Sequence, residues 1–184
     1  MALPLAVTFT AGSTGDWRIE RLAAVAGETL PVATHLSAQA STPRTAEDSW
    51  QLRGIVSHTR YTTAQELKRL NLVSPPLGRP EATCAALIPI RKSDAWWSMA
   101  QDERRAIFEE RSGHIARSLS YLPAIARRLH HARELGEPFD FLTWFEYAPQ
   151  HADAFEALVA ELRASEEWRY VEREVDIRLS RIVG

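Results

Sequence analysis

Residues 125–147 read IARRLHHARELGEPFDFLTWFEY, and this stretch decides the fold. Two apolar runs, Ile125–Arg133 and Phe139–Tyr147, flank the polar segment Glu134–Pro138, which contains a glycine and a proline. This pattern predicts a β-hairpin. One face of its second strand carries Phe141, Thr143, Phe145 and Tyr147, and the other carries Leu142 and Trp144. Both faces are apolar, so we expect helices to cover one face and the first half of the chain, a second subunit, or both to cover the other.

The segments on either side of the hairpin complete a unit of six elements. Before it, an apolar strand is predicted at Thr83–Arg91 and a helix at Ser98–Arg111. After it, an amphipathic helix is predicted at Gln150–Ala164 and a half-buried strand at Val171–Ile182. The order strand, helix, strand, strand, helix, strand is that of the split β-α-β, or ferredoxin-like, unit. We therefore expect an α+β protein.

The first half of the chain carries a weaker version of the same pattern. Strands are predicted at Pro4–Thr10 and Trp50–Thr59, and a loop rich in Ala, Ser and Thr is predicted at Ala33–Asp48 between them. A short helix follows, opened by a capping box of Thr63 and Glu66.

A boundary separates the two halves at Ser74–Pro80, which contains three prolines and a glycine and fits neither helix nor strand. We expect residues 1–74 to form a truncated ferredoxin-like half. This half is predicted to pack sheet to sheet on a complete ferredoxin-like half at residues 81–184.

Composition limits the classes of protein that fit. The 184 residues include 22 Lys and Arg against 24 Asp and Glu, a net charge of −2, whereas nucleic-acid binders usually carry a basic excess. The single cysteine, Cys84, excludes an internal disulfide. Residues Met1–Thr10 have neither the basic leader of a secretory signal nor the length of a membrane span. We expect a soluble cytoplasmic protein with no nucleic-acid or membrane partner.

His114 is the first candidate for chemistry. The sequence contains no HExxH, GxSxG, Walker or GxGxxG motif, which disfavours several common enzyme classes. His114 follows Gly113 and lies seven residues after Ile107, so it falls on the inward stripe if the helix continues. Such a histidine is most often a satisfied core residue. An imidazole at a helix end is also how proximal haem ligands are presented.

Arg127 is the second candidate. It shares one face of the predicted strand with Ile125 and Leu129, so it points inward if they do. A buried guanidinium cannot lose its proton to avoid the cost of desolvation. It therefore needs an anion, either a carboxylate of the protein or an anionic ligand.

Two neighbouring pairs have ordinary interpretations. Trp96 and Trp97 fit an aromatic pair at a strand-to-helix corner, where adjacent side chains serve different layers. Glu166 and Glu167 fit the solvated end of a helix.

Taken together, these residues resemble a known family. The segment PIRKSDAWWSM at residues 89–99 is similar to the part of the chlorite dismutase family that supports the haem. The similarity continues through His114, across the interval to Arg127 and into the strand Phe141–Glu146. It covers about half of the chain.

The resemblance implies roles for individual residues around a haem b group. His114 would be the proximal ligand of the iron, Glu167 would accept a hydrogen bond from its imidazole, and Arg127 would be the distal catalytic arginine. Glu174 stands where longer relatives have a further tryptophan, so a role of that tryptophan does not transfer. The other residues expected to contact the haem or its propionates are Lys92, Trp96, Trp97 and Tyr61. The short first half is similar to the compact branch of the family, which implies a homodimer.

The activity implied by the resemblance is the decomposition of chlorite to chloride and dioxygen. Chlorite bound to ferric haem would give an oxoferryl species beside hypochlorite, which Arg127 would hold until the two recombine. Three alternatives stay open: a peroxidase-like haem protein, a coproporphyrin-processing enzyme, and a haem-free ferredoxin-like dimer that binds a small molecule. Arg127 argues against the second, because coproporphyrin-processing relatives lack that arginine, and the third leaves an inward Arg127 unexplained.

Overall fold

The computed structural model describes residues 5–40, 44–56 and 60–182. Its strands are β1 Ala6–Gly12, β2 Trp17–Ala26, β3 His35–Gln39, β4 Trp50–Ile55, β5 Cys84–Lys92, β6 Ile125–His131, β7 Phe141–Tyr147 and β8 Val171–Arg181. Its helices are α1 Ala64–Val73, α2 Asp94–Ser98, α3 Gln101–Arg105, α4 His114–Leu119 and α5 Ala152–Arg163. A π-helical segment at Ala106–Arg111 and 3-10 turns at Arg133–Leu135, Pro149–His151 and Glu166–Tyr170 complete these elements.

The strands form an antiparallel sheet that closes into a barrel in the order β1-β3-β2-β8-β5-β7-β6-β4. The four strands and the final helix predicted for the second half are found, whereas several short pieces replace the helix predicted at Ser98–Arg111. The predicted stacking of the two halves, sheet to sheet, is wrong. Strand β2 pairs with β8 and strand β4 pairs with β6, so both halves contribute to one continuous sheet.

Two strands of the first half were not predicted. In β2 the pairing with β8 shifts register between Ile19 and Arg21 and again between Ala24 and Ala26, which breaks the alternation that indicates a strand. Strand β3 lies inside the segment predicted as a loop. It has no apolar pattern that would indicate a strand, because only Leu36 among its five residues is fully buried. The predicted strand ends at Pro4 and at residues 57–59 lie outside the described residues.

The barrel explains why the hairpin is apolar on both sides. Its interior is an apolar core to which both halves contribute, with the following side chains among its members: Phe9, Trp17, Leu36, Leu52, Leu87, Leu142, Trp144 and Ile177. The outer face of β5 and β7 packs on α5 through Phe155 and Leu158. The expectation that the first half covers one face of the hairpin is therefore confirmed.

The helical region before β6 is broken into pieces rather than continuous. α2 ends at Ser98. α3 begins after its N-cap residue Ala100, whose backbone N–H donates a hydrogen bond to the side chain of Glu103 at 2.7 Å. The π-helical segment ends near Gly113, whose φ of 61° lies in the left-handed region that favours glycine. His114 therefore starts a new helix, and its prediction as part of a continued helical stripe is wrong in register.

No helix among the described residues is long and apolar enough to cross a membrane. The cytoplasmic location expected from the sequence stays a prediction.

Gly54 offers a test of barrel closure. A Cβ atom at this position of β4 would lie 2.6 Å from Cβ of His130 on β6 and 3.3 Å from Cδ1 of Leu142. We expect Gly54→Ala to lower the free energy of unfolding by about 1–3 kcal/mol, because the clash overfills the barrel interior. Urea denaturation followed by circular dichroism measures the change. An unchanged midpoint would contradict the tight approach of β4 to β6.

Candidate functional site

A cavity lies between the outer face of the barrel and the helices that pack beside it. It encloses about 1080 Å³ of space, including its opening to solvent. Its apolar wall comes from the sheet and from the helices, with these members: Ile88, Ile90, Leu129, Phe145, Ile115, Leu158, Val159 and Leu162. The charged residues of its wall are Arg60, Lys92, Arg127, Glu167 and Glu174. An apolar cavity with a few convergent polar groups is typical of a binding site for a small molecule or cofactor.

One buried carboxylate organises the side of the cavity nearest the helices. Glu167 lies in the turn Glu166–Tyr170 and is 4% exposed. Its Oε2 atom lies 2.7 Å from Nδ1 of His114, and its Oε1 accepts a hydrogen bond from Nζ of Lys92 at 2.7 Å. The surface position expected from the ordinary interpretation of Glu167 is therefore wrong, and the pairing with His114 is present.

The charge on Glu167 is well compensated. Burial would raise the pKa of this carboxyl, but electrostatic interactions and hydrogen bonds with His114 and Lys92 outweigh burial and lower it to about 2. A carboxylate at Nδ1 fixes the proton on that nitrogen and leaves the lone pair of Nε2 available. Within the described part of the chain, Nε2 of His114 has no hydrogen-bond partner.

Aromatic rings set the environment of His114. The imidazole stacks on Phe108 with ring centroids 4.4 Å apart and lies nearly parallel to Trp168 at 6.5 Å. Nζ of Lys92 lies 4.6 Å from the centroid of Trp96. Sequence reasoning missed Phe108 and Trp168. The position of Trp168 next to Glu167 was the one signal that could have pointed to it.

Arg127 reaches the same cavity from the sheet. It lies on β6 opposite Phe145 of β7, and both residues line the cavity wall. No ion pair or hydrogen bond joins Arg127 to the described residues, and its buried Nε has no partner. Burial without a compensating anion lowers the pKa of its guanidinium, which stays charged even so. The carboxylates of the cavity wall, Glu167 and Glu174, are already engaged by other cations.

A third group of polar atoms lies at the corner formed by Tyr61 and Trp96. Their rings meet edge to face at 5.9 Å, and both Tyr61 Oη and Trp96 Nε1 are buried without a hydrogen-bond partner among the described residues. Tyr61 has a φ of 60°, an uncommon conformation for a residue other than glycine. Its carbonyl accepts a hydrogen bond from Arg105, which holds it in place. Burial raises the pKa of the Tyr61 phenol, so this group stays a donor.

Trp97 does not line the cavity, contrary to the role implied by the resemblance. Its Nε1 donates to Oδ2 of Asp140 at 3.1 Å, and its ring stacks on Phe141 at 6.0 Å. The guanidinium of Arg133 lies 4.2 Å from the ring centroid. Successive residues of the short helix α2 point in different directions, so only Trp96 faces the cavity. The expectation that the two tryptophans serve different layers is confirmed.

The polar face of β8 also differs from expectation. The half-buried strand predicted from the alternation of Asp176, Arg178 and Ser180 with apolar residues has a solvated face, but Asp176 and its neighbour on that face, Glu174, are fully buried under α5. Arg163 of α5 lies 2.6 Å from Oε1 of Glu174 and 2.8 Å from Oδ2 of Asp176. Ion pairs with a helix that packs above them explain why charged side chains are buried here.

The fold and the cavity define a class of protein with an apolar pocket beside an antiparallel barrel, and among the described residues His114 enters this pocket with a carboxylate on its Nδ1. The chain belongs to the chlorite dismutase family, whose family model matches residues 10–183.

Solved structures and a curated relative agree with this family. A dimeric chlorite dismutase from Nitrobacter winogradskyi is 62% identical, with a TM-score of 0.90 over 95% of this chain and 99% of that chain. A chlorite dismutase from Candidatus Nitrospira defluvii, in complex with imidazole, is 27% identical, with a TM-score of 0.59 over 73% and 56% of the two chains. The curated chlorite dismutase of Ideonella dechloratans is 32% identical over 62 residues. That match spans 34% of this chain and 20% of the curated relative.

The ion pair that holds the Tyr61 corner predicts a pH dependence. Hydrogen bonds from Arg105 at 2.7 and 2.8 Å lower the pKa of Glu66 to about 2. The stabilisation is therefore complete above the ordinary pKa of about 4.5 and is lost as pH falls toward 2. We expect Glu66→Gln to cost about 1–2 kcal/mol at pH 7 and nothing at pH 2, after allowance for partial exposure.

Thermal unfolding of both proteins between pH 7 and pH 2 measures this difference. Glu110→Gln, which removes an exposed charge near the same helical region, serves as the control. A Glu66→Gln difference that stays constant with pH would contradict the ion-pair explanation.

Proposed function

We propose that this chain is a haem b enzyme that decomposes chlorite to chloride and dioxygen. The observation that carries the proposal is Arg127, a half-buried cation with no anionic partner among the described residues, in one cavity with the His114–Glu167 pair. Membership of the family and the 62% identity to a protein named a dimeric chlorite dismutase support it.

The residues of the cavity fit a haem. His114 offers one neutral nitrogen toward the cavity, and the apolar wall suits a flat macrocycle. Within the described part of the chain, Tyr61 Oη and Trp96 Nε1 are buried donors without a hydrogen-bond partner, and they suit the carboxylates that such a macrocycle carries. The haem would supply an iron that changes oxidation state while it breaks and forms bonds to oxygen.

Glu167 and Lys92 control the proton on His114. Because Glu167 stays ionised, it accepts the Nδ1 hydrogen bond and does not take the proton. The imidazole then becomes a stronger electron donor through Nε2. Lys92 neutralises the carboxylate on its other oxygen, so the buried pair keeps its geometry when no ligand is bound.

Arg127 binds and retains the anions of the reaction. Chlorite is already an anion at neutral pH, so a fixed cation is more useful to it than a base that accepts a proton. When one oxygen leaves chlorite, the remaining fragment is hypochlorite, and Arg127 donates hydrogen bonds that keep it in the cavity. Return of that oxygen gives one dioxygen and one chloride for each chlorite. Retention also protects the aromatic lining from oxidation.

We infer that the two halves are related units. The element order of residues 81–184 and the sheet order β8-β5-β7-β6 support a ferredoxin-like unit. Residues 1–74 would be its truncated counterpart, and they contribute Arg60–Thr62 to the cavity wall. The dimeric relative supports a homodimer for this chain.

Substitution of Arg127 tests the role of the cation. Arg127→Ala should keep the haem spectrum but complete roughly tenfold fewer turnovers before inactivation, because hypochlorite escapes. An oxygen electrode measures dioxygen release from chlorite, and a chlorination probe such as monochlorodimedone traps free hypochlorite. Arg127→Lys keeps the charge and should retain more turnovers than Arg127→Ala.

Arg128→Ala is the matched control, because Arg128 is the next residue on β6 but does not line the cavity. An unchanged number of turnovers in Arg127→Ala, without trapped hypochlorite, would overturn the role of Arg127. A normal haem spectrum without dioxygen from the unaltered protein would move the function to peroxidase-like or porphyrin-processing chemistry.

Substitution of His114 tests the iron ligand. We expect His114→Ala to bind haem weakly and without the ferric absorption spectrum of the unaltered protein, because the variant loses the imidazole that Glu167 holds through Nδ1. Haem titration followed by absorption spectroscopy measures this. His35→Ala on β3 is the control. Full occupancy with an unaltered spectrum in His114→Ala would contradict the assignment.

A further inference from the structure

Trp168 is fixed by a hydrogen bond that the proposed function does not use. Its Nε1 donates to Oε2 of Glu174 at 2.7 Å. The distance is at the short end for an N–H···O bond, as expected when the acceptor is ionised. Both residues line the cavity, Trp168 from the turn that carries Glu167 and Glu174 from β8. The indole is therefore tied to the wall of the barrel.

Glu174 is itself held by a buried network. Its side chain is fully buried, and its Oε1 accepts hydrogen bonds from Nε and Nη2 of Arg163 at 2.8 and 2.6 Å. Arg163 also bonds to Asp176, which pairs in turn with Arg178 and Arg21. The two carboxylate oxygens of Glu174 therefore have different partners: Oε1 binds Arg163 of α5, and Oε2 binds Trp168.

The indole of Trp168 borders the residues around His114 in two ways. Its ring plane lies 20° from that of the imidazole, at a centroid distance of 6.5 Å. Nζ of Lys92, which bonds to Glu167, lies 5.4 Å from the indole centroid. A carboxylate that accepts the indole N–H makes the ring more electron-rich, so its face attracts the Lys92 ammonium more strongly.

We propose that Glu174 is a positioning residue for His114, acting through Trp168. It keeps the indole beside the imidazole and under Lys92, and so restricts the orientation of the imidazole and of the Glu167–Lys92 pair. The significance for an iron ligand rests on the proposed haem function, whereas the contact itself is a property of the chain without haem.

The first experiment uses the haem-free protein and nuclear magnetic resonance. The indole N–H signal of Trp168, assigned by its loss in Trp168→Phe, should lie downfield and should move upfield in Glu174→Ala, because its charged acceptor is removed. The Nδ1–H signal of His114 should shift in both variants. Trp168→Phe leaves the ion pairs of Glu174 intact, so it tests the proposal even if Glu174→Ala does not fold.

Asp176→Asn is the matched control. It removes an equally buried carboxylate that shares Arg163 but does not touch Trp168. It should lower stability without moving the His114 signal. If Asp176→Asn moves that signal as much as Glu174→Ala does, the effect is a general loosening and the proposal fails.

The second experiment uses the haem-loaded protein. Weaker support of the His114–Glu167 bond reduces electron donation to iron, so the ferric/ferrous midpoint potential should shift to more positive values in Glu174→Ala and in Trp168→Phe. The double variant should shift no further than either single variant, because both remove one contact. Additive shifts, or none, would overturn the proposal. Failure to bind haem in the unaltered protein would instead overturn the proposed function and leave the first experiment valid.

Discussion

The sharing of one buried carboxylate between His114 and Lys92 is the constraint on which the site depends. Glu167 is almost inaccessible to water, and a charge in that position is tolerable only with two partners in hydrogen-bond contact. These partners come from different parts of the fold: Lys92 from the end of β5 and His114 from the start of α4. Helices, sheet and turn must therefore meet at one point. The break in the helical region at Gly113 is what allows the imidazole to reach it.

The barrel gives that meeting point a rigid support. One face of the second-half sheet fills the barrel interior with apolar side chains, and its other face forms a wall of the cavity. An antiparallel sheet with a single buried face would leave the second face to water. Here both faces are packed. The side chains of β6 and β7 that face outward, such as Arg127 and Phe145, are held in position because the core packs against the other face of the same strands.

The sequence predicts the second half well because its elements are long and regular in period. It also predicts His114, Arg127 and Glu167 through the spacing shared with a family, and the capping box of Thr63 and Glu66 is present as expected. Strand β2 was missed because its bulges interrupt the alternation of apolar and polar residues that indicates a strand. Trp97 was misplaced because its direction depends on contacts with Asp140 and Arg133, which lie more than 30 residues away in sequence. Distant partners of this kind leave no local pattern.

The contact between β4 and β6, which closes the barrel, has a consequence for how long the cavity keeps its shape. Among the described residues, which omit 57–59 just after β4, a single residue pair joins β4 and β6, Ile55 opposite His131, whereas β2 and β8 pair along most of their length. Brief local opening of a protein starts where backbone pairing is thinnest. That place is on the same strand as Arg127. Local opening of the barrel would then also displace Arg127, the residue proposed to bind anions. The amide protons of β6 would exchange with solvent at the rate at which the cavity loses its shape.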